Sequence, residues 1–262
     1  MSVEFSIIIP WRSGDPVREE NLKRMIHCLT VQKVLPGMNS GDCARFEVIL
    51  CEHARTNTVV RSFEGLISPF THIVLRHDSE FNKSWCMNVA AKRAVYPHFL
   101  FMDADSIFGD TYLIVIRKFL EQYNSNVAFC WNYIICLTGK DNPHYRHIRP
   151  DTTAAMGGIW YAHKEYFLGP FGGMNEAFFG YGGEDNDAYE RVLALRNMRG
   201  PDVIPYPLAH QYHDWVKPSV SATPYFEKTK KYPREVCSLI RQFGVGNESR
   251  PAPIAANMDQ LQ

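Results

Sequence analysis

Apolar positions along the chain change spacing in a regular alternation. EFSIIIP (4–10) is a short β-branched run closed by proline and predicts a buried strand. Residues 16–31 place Val17, Leu22, Met25, Ile26 and Leu29 at helical spacing, with Asp15 before Pro16 as cap and first-turn proline. FEVILCE (46–52) and HIVLRH (72–77) read as further strands, and SWCMNVAAKRAV (84–95) as a helix. HFLFMDAD starts a fourth strand at 98, 111–123 is a helix, and VAFCWNYIICL (127–137) reads as one more apolar strand. This alternation predicts an α/β domain with a mostly parallel, Rossmann-like sheet flanked by helices. Ligands of such sheets bind at the carboxyl ends of the strands, where Asp103 and Asp105 fall.

Beyond residue 140 the texture turns glycine- and aromatic-rich, then helical from about Glu184 to Arg196. No repeat or linker divides the chain, so one domain is expected over 1–245, with a nucleotide-binding half (1–110) and an acceptor half (111–245). The proline- and lysine-containing stretch 216–235 reads as a mobile loop, and 246–262 as a frayed tail.

Composition narrows the function classes. Lys+Arg and Asp+Glu number 28 each, a balance without the basic signature of nucleic-acid binders. Aromatic residues make up 13%, which suits a packed protein with stacking surfaces. The seven cysteines are odd in number and lack a CxxC pair, which favours a reducing compartment over a disulfide framework. The N-terminus lacks a basic n-region, and no apolar run approaches the roughly 20 residues of a membrane span. The expected location is cytoplasmic, in a microbe or in the host cell of its virus.

Two aspartates one residue apart after a buried strand either cap the next helix or hold a hard divalent cation through oxygen. Four further stretches decide between these. IIIPWR, FNKSWCMNVAAKRA, FMDAD, MGGIWYAHKEYF…GYGGEDND and HQYH, in that order, resemble the metal-dependent glycosyltransferases of GT-A fold. The similarity is greatest to the β1,4-galactosyltransferase group and related bacterial chondroitin-type polymerases, and spans about residues 4–215.

The resemblance implies a UDP-sugar donor, Mn²⁺ (or Mg²⁺) as cofactor, and a hydroxyl-bearing acceptor such as a glycan. It puts Pro10, Arg12, Phe81 and Lys83 against the nucleotide diphosphate, Gly158 beside the donor, and Asp103 with Asp105 at the metal. Arg and Lys suit a charge spread over phosphate oxygens. Glu52 falls where an acid often accepts from uracil or ribose in this fold. His213 matches the family's ligand histidine, and His210 replaces its methionine ligand. In the GGEDND block, helix-opening acids alone would account for Glu184, Asp185 and Asp187; the resemblance makes Asp185 the base toward the attacking hydroxyl. Tyr181 stands where the family has a tryptophan that closes over both substrates. Ala155, two before Gly157, falls at the family's donor-selecting position, where a small side chain admits a 2-acetamido group. The expected activity is inverting transfer of a hexose or N-acetylhexosamine. A retaining transferase, an enzyme acting on hydroxylated DNA bases, and a non-catalytic binding module are the alternatives.

Overall fold

A computed structural model describes residues 3–32, 45–56, 67–137, 145–150, 156–214, 223–258 and 261. Its main sheet has seven strands: β1 (Glu4–Trp11), β2 (Arg45–Ala54), β3 (Phe70–Arg76), β4 (His98–Met102), β6 (Val127–Phe129), β9 (Ile159–His163) and β10 (Asp202–Val203). Their order is β10-β6-β9-β4-β1-β2-β3. A smaller sheet runs β5 (Ser106–Ile107), β11 (Pro207–His210), β7 (Tyr133–Leu137) and β8 (Tyr145–Ile148). The helices are α1 (Pro16–Thr30), α2 (Lys83–Arg93), α3 (Tyr112–Tyr123), α4 (Lys164–Leu168), α5 (Glu184–Leu195), α6 (Thr223–Lys231), α7 (Pro233–Phe243) and α8 (Ala255–Met258).

β1 lies between β2 and β4 in parallel, pairing Ile8 with both Ile49 and Phe101. A strand covered on both faces needs an unbroken apolar run, which is why EFSIIIP carries no alternation. β9 is antiparallel to both β4 and β6. Its Trp160 stacks on Phe101 with ring centroids 4.4 Å apart, and Phe167 of α4 packs on the same ring at 4.8 Å. One core draws on strands from both sides of residue 110, from Phe5 through Tyr161 to Val192. Among the described residues no helix is long and apolar enough to cross a membrane.

Three expectations change. The single strand at 127–137 is two, β6 in the main sheet and β7 in the small one. Trp131, buried between them, donates its indole N–H to Gly157 O at 3.2 Å. Both halves are apolar, so no change of period marks the break. The 216–235 stretch holds α6 and the start of α7, while 216–222 lies outside the described residues. Pro224 and Pro233 sit in the first turns of these helices, where a missing N–H costs nothing. Val236, Cys237 and Ile240 bury one side of α7.

The tail is docked through 246–258. Gly246 N donates to Glu176 Oε1 at 2.6 Å, Ala252 N to Glu176 Oε2, and the Trp85 indole to Asn247 O. Ile254 and Met258 are fully buried against Val236 and Ile240.

Candidate active site

β4 ends at Met102, and the two aspartates after it diverge. Asp103 turns toward the entry to β9. Its N–H donates to Gly158 O at 3.0 Å and its Oδ2 accepts from Gly158 N at 2.9 Å. Gly158 has φ +83°, and a Cβ there would come within 3.0 Å of Ile134 Cδ1, so the close approach depends on glycine.

Asp105 turns toward the small sheet. β5 begins at the next residue and pairs antiparallel with β11, setting Ser106 opposite His210. Gln211 N donates to Asp105 O at 2.8 Å, which fixes the turn that carries His213. His210 Nε2 then lies 3.4 Å from Asp105 Oδ1, and His213 Nε2 lies 3.2 Å from Oδ2. Oδ1 is buried and forms no hydrogen bond. Burial pushes the Asp105 carboxyl up, but His210, His213 and Arg18 outweigh it and hold the group at about 2.

Asp105, His210 and His213 offer ligand atoms all within 4.8 Å of one another, and among the described residues this is the only such group of three or more. The set fits a divalent transition metal: one carboxylate, two imidazoles and a buried oxygen lacking a donor. His213 Nδ1 lies 2.9 Å from Asp214 O and 3.1 Å from Arg18 Nη2. Arg18 can only donate to Nδ1 and Asp214 O can only accept from it, so the two compete. The tautomer with the proton directed at the carbonyl is the one that leaves Nε2 as the ligating lone pair. Without a metal, the Nε2 hydrogen bond to Asp105 raises the His213 pKa. Three of the four expected metal residues therefore converge.

Asp103 is drawn to a lysine instead. Lys83 opens α2, whose cap is Asn82, with Oδ1 accepting from Trp85 N at 2.8 Å. The Asn82 N–H donates to His53 Nδ1 at 3.0 Å, so the other ring nitrogen of His53 carries the proton and donates to His77 O, also at 3.0 Å. Thus held, Lys83 Nζ reaches Asp103 Oδ1 at 2.9 Å, Asp185 Oδ2 at 3.0 Å and Glu184 Oε1 at 3.7 Å. Burial acts to lower its pKa, but Asp103, Asp185 and Glu184 raise it well above the ordinary value.

The acids come from α5. Gly182 and Gly183 have φ of +96° and +93°, turning the chain into a helix start that no side chain caps. Met156 N donates to Asp185 O at 2.9 Å, and a Cβ on Gly157 would sit 3.3 Å from Asp185 Oδ2. Burial and the Asp185 charge push Glu184 up to about 7, against Lys83. Burial also raises Asp185; Lys83 opposes this and Asp103 adds to it.

The other expected residues border this cluster or the strands below it. Pro10 is buried in β1 opposite Cys51. Arg12, half-buried just past β1, has its pKa lowered by burial and then by Arg55. Glu52 is fully buried two residues inside the end of β2; His72 Nε2 lies 3.0 Å from its Oε2, and its Oε1 has no hydrogen-bond partner. Phe81 O accepts from Gly180 N at 2.7 Å, tying the entry of α2 to the glycine turn before α5. Tyr181 is 42% exposed; burial of its hydroxyl raises its pKa, opposed by Lys83 and aided by Glu184. Ala155 lies outside the described residues.

His53, Asn82 and Glu176 escaped the sequence reading. Asn82 stood in FNKS as a legible cap, whereas its bonds to His53 and to Glu176 O join residues 29 and 94 positions apart.

Residues 142–207 match the family model described as the N-terminal domain of galactosyltransferase. No curated protein matches the sequence. Among solved structures, S. aureus TarS residues 1–349 in complex with UDP is 15% identical with a TM-score of 0.54, covering 99% of this chain and 69% of that one. The same TarS fragment in complex with UDP-GlcNAc is also 15% identical (TM-score 0.53), covering 99% of this chain and 70% of that one. A longer TarS structure is 14% identical (TM-score 0.53), covering 99% of this chain and 42% of that one. The fold is the one shared with these TarS structures, and residues 142–207 carry the galactosyltransferase-type segment.

Proposed function

From a GT-A fold with a galactosyltransferase-type segment, we propose that this chain is a metal-dependent UDP-sugar transferase. It would move a hexose or N-acetylhexosamine to a hydroxyl acceptor, most simply a glycan, with inversion at the anomeric carbon. One observation carries the reading: the two aspartates after β4 face opposite ways, Asp105 into two histidines and Asp103 into a lysine shared with Glu184 and Asp185.

The roles follow from this division. Asp105, His210 and His213 would hold the cation, and two imidazoles favour Mn²⁺ over Mg²⁺. When bound, that cation neutralises the departing diphosphate as a Lewis acid. Arg12 and Lys83 hold phosphate oxygens, Pro10 and Phe81 shape the nucleotide cleft, and Glu52 accepts from the base or ribose. Asp103 and Gly158 border the sugar, and Tyr181, beside the acids, closes over it.

Asp185 takes the proton. In the free protein both its oxygens accept from Lys83. A diphosphate that engages Lys83 frees one oxygen for the acceptor O–H. As that proton moves to Asp185, the acceptor oxygen bonds to C1 from the face opposite UDP, and the C1–O bond breaks with its electron pair leaving on the diphosphate. Glu184 orients the acceptor.

The donor sugar depends on Ala155. By the resemblance, an alanine at this position goes with use of UDP-GalNAc at least as well as UDP-Gal.

The test is UDP release across UDP-sugars with Mn²⁺, Mg²⁺ or chelator, followed by NMR of the product linkage. Expected are Mn²⁺-dependent release and an inverted anomeric centre. No release with any UDP-sugar overturns the transferase reading, and a retained centre overturns inversion alone.

A further inference from the structure

Three acids open α5, and one of them is not available to substrate. Asp187 is fully buried, as is Arg191 one turn further on. Asp187 Oδ2 accepts from Arg191 Nε at 2.8 Å, while Oδ1 accepts from Asn175 Nδ2 at 3.1 Å and from the Thr229 hydroxyl at 2.5 Å. Arg191 Nη1 donates to Phe171 O at 3.0 Å and Gly173 O at 2.9 Å, with the guanidinium 4.0 Å above the Phe171 ring. A buried carboxylate persists only with such full pairing.

The anchor has a place to act. Gly180, Gly182 and Gly183 all have positive φ, and Gly183 caps α5 with no side-chain hydrogen bond. The turn that presents Glu184 and Asp185 thus enters the helix with no side-chain cap on its N-terminal side. Asp187, two residues after Asp185, ties that turn to the body of the protein. Thr229 belongs to α6, so the tie joins α5 to that helix.

We propose that Asp187 is a positioning residue for sugar transfer: held by Arg191, Asn175 and Thr229, it sets the rotation of the first turn of α5 and with it the placement of Glu184 and Asp185 against Lys83. This rests on the reading of Asp185 as the base. A reacting group displaced by about 1 Å can lose on the order of 10²-fold in rate, so a loosened anchor is read in kcat.

The mild perturbation is Thr229→Val, which removes one donor while keeping shape. With UDP-GalNAc and Mn²⁺, kcat for UDP release is expected to fall about tenfold or more, with Thr229→Ser restoring it. Donor KM and UDP affinity by calorimetry should stay within about twofold, because a ground-state contact is not lost. The Glu184 carboxyl titration, followed by ¹³C NMR in the full chain, reads the same geometry without turnover: its midpoint should move in Thr229→Val and return in Thr229→Ser. Glu184 is faced there by Lys83, Asp185 and Asp103. Should Thr229→Val fail to fold, Thr229→Ala takes its place under the same readouts. An unmoved Glu184 midpoint, or an unchanged kcat in a folded variant, overturns the proposal. Asp185→Asn run in parallel separates the two readings: if it retains transfer the base assignment fails, and if it is inactive while Thr229→Val is normal the positioning role alone fails.

Discussion

Glu184 is a carboxyl group held near neutrality by burial and by its neighbour Asp185. Its folded pKa, about 7, stands above the ordinary 4.5, so the native state binds the extra proton between these values. The stabilisation it contributes is complete below pH 4.5 and is lost as pH rises through about 7. Glu184→Gln should therefore flatten the fall in stability across that window, as denaturant titrations at several pH values will show. Asp105 offers a second test at this scale. Asp105→Asn keeps the shape but removes the charge between the histidines, so Mn²⁺ should raise the melting temperature of the wild type and leave the variant's unchanged. Differential scanning calorimetry with Mn²⁺ and with chelator decides it. These residues were unequally visible in the sequence. Asp105 and His213 could be set together through the order of short motifs. The sharing of Lys83 by three acids could not, because Lys83 and Asp185 lie 102 positions apart and only the fold closes that distance.

Among the elements, those buried on both faces were legible and those defined by partners were not. β1, β2 and β4 carry short continuous apolar runs of the kind a strand covered on both faces needs. β9 reads as part of a glycine-rich stretch, since its antiparallel place between β4 and β6 is a property of the sheet and not of IWYAH. α6 and α7 were masked by prolines that turn out to start helices rather than prevent them. The 246–258 segment looks like a tail by composition, yet Glu176 accepts hydrogen bonds from Asn88, Gly246 and Ala252. Glu176→Ala leaves the Gly246 and Ala252 N–H groups without a partner, while Asn88 keeps Met174 O, at a cost of about 1–3 kcal/mol for each N–H that stays buried. Urea unfolding should show that loss, and limited proteolysis should cut the variant within 246–258 sooner than the wild type.

For the whole molecule, the two sheets meet at the pair of aspartates. The larger sheet is continuous from β10 to β3 and ends in Asp103 and Asp105 along β4. The smaller sheet starts from β5 directly after them and brings in His210 through only two register pairs with β11. That ladder is short, and Asp105, His210 and His213 span it. An ion held there, as proposed, would fasten one sheet to the other. Amide exchange at Leu208–His210 should slow when Mn²⁺ is added and recover on chelation, while Ile7–Ile9 in the centre of the larger sheet exchange at one rate throughout. On that proposal the stiffness of the joint would follow the surrounding ion concentration, quite apart from any sugar transfer.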